Sequence, residues 1–173
     1  MSFWVSSGAF GLSNINSIIE QAQKSNIINI ELSSGLYCDN ENLKQIIERV
    51  HSGKNKFLIH NYFPAPKNPF VLNIASVDKN DREKTILFAK KAIDISSELG
   101  APFYSIHAGF AASLSPKVLG NIDEWHKIKF PKKSFDKICE IMIQTTQELS
   151  DYALSKNLSL LIENNVLSPL NYY

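Results

Sequence analysis

The feature that most constrains this chain is a repeated pairing. Short apolar runs, each closing on polar or turn residues, alternate with stretches of helical periodicity. The runs are Phe3-Trp4-Val5, Ile27 to Leu32, Phe57 to His60, Phe103 to His107 and Leu158 to Glu163. Runs this rich in Ile, Leu and aromatics predict strands buried on both faces. Between them lie apolar stripes at helical spacing: Ile15, Ile18, Ile19 and Ala22; Leu43, Ile46, Ile47 and Val50; Ile86, Ala89 and Ile93; Ile138, Ile141, Met142, Thr145 and Leu149. Ser17 to Glu20 reads as a capping box, Asn80 or Asp81 as the cap of the third helix, and Ser134 as the start of the fourth. Gly53 and Gly100 read as stops. Strand and helix in alternation predict one α/β domain with parallel strands, whose C-terminal ends gather at one rim.

Composition narrows the function classes. Lys and Arg number 18 against 17 Asp and Glu, and only Arg49 and Arg82 are arginines. Bulk charge therefore speaks against nucleic acid and anionic membranes as partners. Cys38 and Cys139 have neither the number nor the spacing of a disulfide framework or zinc knuckle. No apolar run approaches the roughly 20 residues of a spanning helix, and the first ten residues lack a leader pattern. A cytoplasmic setting is expected. The Gly-rich dinucleotide and phosphate-loop signatures, HExxH and GxSxG are all missing.

Chemistry concentrates at the ends of the predicted strands. The second run contains Glu31, and the third, fourth and fifth end in His60, His107 and Glu163. Two imidazoles and a carboxylate at one rim make a donor set for a divalent ion. Either histidine fits equally a hydrogen bond to a neighbouring loop, and Glu31 fits pairing with a core polar group. A buried Glu163 requires a partner or a metal. His51, at a helix end, and His126, in a long connection beside Trp125, read as non-ligands. The long connections from Asn61 to Lys79 and from Gly109 to Lys133 are expected to form substrate walls.

Three segments, in this order, resemble the xylose isomerase-like TIM-barrel superfamily: Ile59-His60-Asn61-Tyr62-Phe63, Tyr104-Ser105-Ile106-His107-Ala108-Gly109 and Leu161-Ile162-Glu163-Asn164-Asn165. Ile30-Glu31-Leu32-Ser33 is similar to that group's second-strand segment. The group includes sugar phosphate isomerases and epimerases and the endonuclease IV repair enzymes. The resemblance implies a partial (β/α)8 TIM barrel of about five βα units over residues 1–173, a single incomplete domain lacking strands six to eight. It implies a divalent metal (Mn, Co, Zn or Mg) held by His60, His107 and Glu163, with Glu163 also catalytic. Glu31, Asn61, Tyr62 and Asn164 are then expected to face a sugar or sugar phosphate substrate.

The implied reaction is isomerisation or epimerisation by metal-assisted proton transfer next to a carbonyl. The alternatives are metal-dependent phosphodiester hydrolysis of DNA and a non-catalytic barrel fragment. The family's Asp, His and Glu from strands six to eight have no counterpart here. The chain by itself is thus expected to be inactive, with its fifth strand an exposed edge that favours self-association.

Overall fold

A computed structural model describes residues 3–118, 128 and 135–164. Five strands are present: β1 (Val5–Ser6), β2 (Asn29–Leu32), β3 (Lys56–His60), β4 (Phe103–His107) and β5 (Ser159–Glu163). They alternate with α1 (Ile15–Lys24), α2 (Asn40–His51), α3 (Lys79–Glu98) and α4 (Phe135–Ser155). A short 3-10 turn, Ser7–Phe10, follows β1. The strands lie side by side in sequence order and every neighbouring pair is parallel. None of the described helices is long and apolar enough to cross a membrane.

The helix starts differ from two of the expected caps. Asn14, not Ser17, caps α1: its side-chain oxygen accepts the N–H groups of Asn16 and Ser17 at 2.9 and 3.2 Å. Ser17 therefore lies within the first turn, and Asn14, with its extended backbone, satisfies the orphan donors. Asp78, upstream of both expected residues, caps α3 by accepting the Asp81 N–H at 3.0 Å. α2 spans the expected residues and opens with a capping box between Asp39 and Asn42. Gly53 and Gly100 directly follow the C-caps Ser52 and Leu99, as expected. The cap of α4 expected at Ser134 lies outside the described residues.

Alternation along the strands divides the sheet into two faces. Ile30, Leu32, Phe57, Ile59, Tyr104 and Ile106 point to the helices and are almost completely buried. Beneath them α1 presents Ile15, Ile18, Ile19 and Ala22, all buried, and α3 presents Ala89, Ala92 and Ile93. Each such side chain stabilises the fold by roughly 1.5–3 kcal/mol for the large aliphatics. In α4, Ile141, Thr145 and Leu149 are buried, whereas Ile138 and Met142 are half-buried.

Burial on both faces fails at β5. Leu161 and Ile162 remain 42% and 36% exposed. The reason is position: among the described residues β5 pairs only with β4, so neither its far edge nor its two faces are fully covered. On the opposite face of the sheet, Glu31, Leu58, Ser105, Leu161 and Glu163 line an open cavity of about 480 Å³. That volume lies within the usual range for a small-molecule site.

Candidate metal centre

The register explains how residues from four strands meet. Glu31 pairs with Leu58, His60 with Ser105, and His107 with Glu163. The rim residues are thus offset by two positions from β2 to β3 and again from β3 to β4, and stand level between β4 and β5. Such stagger accompanies strand tilt in a curving parallel sheet. The outcome is a convergent group at the C-terminal rim. His60 Nε2 lies 3.3 Å from His107 Nε2 and 3.3 Å from Glu163 Oε2, and His107 Nε2 lies 4.0 Å from the same oxygen.

The donor set fits a divalent ion. Two imidazole nitrogens and one carboxylate oxygen are ordinary ligands of zinc and its neighbours. Tetrahedral coordination with bonds of about 2.0–2.1 Å separates adjacent ligand atoms by about 3.3 Å, the length of two sides of this triangle. Among the described residues three donor atoms converge, which would leave one side of a tetrahedral ion open. His60, His107 and Glu163 are each partly exposed, which leaves that side accessible.

Glu31 fixes the orientation of His60. Its Oε1 is 2.8 Å from His60 Nδ1. A carboxylate has no proton to donate, so Nδ1 carries the hydrogen and the Nε2 lone pair faces His107 and Glu163. This hydrogen bond raises the His60 pKa above the ordinary imidazole value, against the effect of burial. Burial, and then the neighbouring His60, lower that of His107. The two adjacent imidazoles are therefore shifted in opposite directions.

Of the expected substrate contacts, Glu31 and Asn61 join this group through the histidines: Asn61 Nδ2 is 3.4 Å from His107 Nδ1. Asn164 is exposed just past β5. Tyr62 is not brought to the group. Its ring packs against Phe70 and Phe88, and its hydroxyl accepts the Leu72 N–H. His51 is exposed at the end of α2, and both cysteines are free and half-buried. His126 and Trp125 lie outside the described residues.

One residue of the rim was not singled out in the sequence. Asn73, 2% exposed, joins the connection after β3 to the one after β4. Its Oδ1 accepts from Ala75 N and Phe110 N at 3.1 and 2.8 Å, and its Nδ2 donates to Ala112 O at 2.9 Å. Gly109 has φ of 86°, and a Cβ there would lie 2.7 Å from Asn73 Oδ1. The signal available was an asparagine set between Leu72 and Ile74 in a long connection, where an apolar flank predicts burial and burial demands partners.

The parallel strands and the polar rim at their C-terminal ends are arranged as in part of an α/β barrel. Comparison with solved structures gives the same result. The chain superposes on a D-tagatose 3-epimerase-like protein with a TM-score of 0.69 at 20% identity, covering 98% of this chain and 55% of that one. A D-psicose 3-epimerase from Clostridium cellulolyticum H10, solved with D-tagatose, gives 0.66 at 11% identity, covering 100% and 55%. The IOLI protein with a bound zinc atom gives 0.64 at 16% identity, covering 95% and 51%.

Among curated proteins, a probable endonuclease 4 from Aquifex aeolicus (strain VF5) is 30% identical over 77 residues, 44% of this chain and 25% of that protein. No protein-family model matches the chain. The chain spans about half the length of these solved structures and a quarter of the curated relative.

Proposed function

We propose that this chain forms the N-terminal five βα units of a sugar or sugar phosphate isomerase or epimerase, with a divalent ion held by His60, His107 and Glu163. The observation that carries the reading is the convergence of His60 Nε2, His107 Nε2 and Glu163 Oε2. With Nδ1 of His60 protonated, a lone pair faces a carboxylate oxygen at 3.3 Å. Such a contact calls for a proton or a cation between the atoms. A bound divalent ion would polarise the carbonyl and adjacent hydroxyl of a sugar and stabilise the negative charge that develops on them.

The chain's own residues supply the rest. Glu31 holds the His60 ring in place. A carboxylate using one oxygen toward the ion keeps a second that can take a proton from the carbon next to the carbonyl, the role assigned to Glu163. The cavity bounded by Trp4, Leu58, Phe103 and Leu161 gives the substrate an apolar floor beneath this polar rim. Sugar epimerases among the similar structures favour a sugar as the substrate class. A second acid–base carboxylate and further ligands belong, in this reading, to strands six to eight of the whole barrel. The five units alone hold the ion without turning over substrate.

The test is deuterium incorporation from D2O into a ketose, next to its carbonyl, by the whole protein that contains these residues. Glu163→Gln is expected to reduce incorporation by about 10²–10⁴-fold. Unchanged incorporation contradicts the assignment. The 77-residue similarity to an endonuclease 4 favours a second reading, hydrolysis of DNA phosphodiesters. DNA binding by the whole protein that weakens steeply with salt supports that reading over the first.

A further inference from the structure

The two histidines of the rim are prepared differently. His60 has a carboxylate behind it, which fixes its tautomer. Behind His107 stands an amide, that of Asn61. We propose that Asn61 is the positioning residue for His107, presenting its side-chain oxygen to Nδ1–H when a metal is held and so directing the Nε2 lone pair at the ion. This rests on the metal-binding reading above.

Asn61 is anchored independently of its side chain. Its N–H donates to Ser105 O at 2.8 Å, and its carbonyl accepts from the buried Tyr104 hydroxyl at 2.9 Å. Its φ is 49°, in the left-handed region, which asparagine tolerates better than most residues. The amide is thereby pinned beneath His107 with 6% of the residue exposed. In the orientation seen, Nδ2 faces His107 Nδ1 and Oδ1 is buried without a hydrogen-bond partner.

That orientation suits an imidazole protonated on Nε2, whose hydrogen can lie toward His60 Nε2 at 3.3 Å. A metal bound through Nε2 requires the other tautomer, with the hydrogen on Nδ1. An amide donor facing that hydrogen is repulsive. Rotation of the amide by half a turn about Cβ–Cγ replaces Nδ2 with Oδ1 and leaves both backbone anchors unchanged. Amide orientation and metal occupancy are then coupled through one side chain.

Zinc titration of the 173-residue chain, with 15N spectroscopy of the imidazoles in the loaded protein, tests this. Asn61→Gly removes the amide at a φ that glycine adopts freely, and Asn61→Asp keeps an acceptor. The wild type is expected to bind zinc and to show a slowly exchanging His107 Nδ1–H. Asn61→Gly is expected to bind at least about 10-fold more weakly and to lose that resonance, and Asn61→Asp to retain both. Wild-type affinity and a protected Nδ1–H in Asn61→Gly overturn the inference and leave the metal reading intact. Equal losses in both variants also overturn it. No binding by the wild type overturns the metal reading and the inference together.

Discussion

Glu31 Oε1 accepts a hydrogen bond from His60 Nδ1 at 2.8 Å, between adjacent strands β2 and β3. This one contact decides which nitrogen of His60 reaches the rim. Partners of this kind behind a ligating histidine typically account for 10–100-fold in metal affinity. Glu31→Ala is expected to weaken zinc binding by about that factor. Glu31→Gln, whose amide oxygen still accepts, should weaken it less. Competition against a chromophoric chelator measures both, and unchanged affinity in Glu31→Ala contradicts the role.

Asn73 ties two rim connections together with three side-chain hydrogen bonds in a buried setting. Asn73→Ala leaves the Ala75 and Phe110 N–H groups and the Ala112 carbonyl without that partner. A cost of about 2–3 kcal/mol is expected from their desolvation. Gly109→Ala should be destabilising as well, because a Cβ meets Asn73 Oδ1 and the backbone nitrogens of Ile74 and Ala75 at 3.0 Å or less. Urea unfolding of each variant provides the check. A midpoint equal to wild type in Asn73→Ala contradicts the account.

The strands and their rim residues were legible in the sequence for a simple reason. An apolar run that ends on a histidine or glutamate states both its burial and its exit, and β4 occupies the predicted residues Phe103 to His107. Recurrence did the rest: Glu31, His60, His107 and Glu163 hold comparable places in successive units. Geometry within the rim was less legible. Whether Asn61 and Glu31 face substrate or a histidine depends on strand stagger, which no local pattern encodes. The hydrogen bond from Leu72 N–H to the Tyr62 hydroxyl likewise depends on how the connection after β3 folds back on itself. The caps at Asn14 and Asp78 were missed because Ser17, Asn80 and Asp81 offer similar chemistry a few residues later.

Cys38 provides a check on a second region. Burial, and then the adjacent Asp39 carboxylate, push its thiol up to about 11. The thiolate is the reactive form, so alkylation of Cys38 at pH 8 should be slow and should rise about tenfold per pH unit up to about pH 10. Iodoacetamide kinetics on a Cys139→Ser variant measure this. A rate that levels off near the ordinary thiol range contradicts the placement of Cys38.

Among the described residues β5 pairs only with β4, and Leu161 on its cavity face is 42% exposed. An edge left unpaired in this way is expected to favour association between copies of the chain. Sedimentation velocity is expected to show concentration-dependent self-association that Leu161→Lys reduces. A wild-type chain that stays monomeric at every concentration contradicts this.

The central claim is that His60, His107 and Glu163 hold one divalent ion at the rim. Calorimetric titration of the chain with zinc, compared with His107→Ala and Glu163→Gln, tests it most directly. The account predicts one ion per wild-type chain and a loss of binding of tenfold or more in each variant, with about 1.4 kcal/mol corresponding to each tenfold step. Binding that is absent in the wild type, or that survives undiminished in both variants, contradicts it.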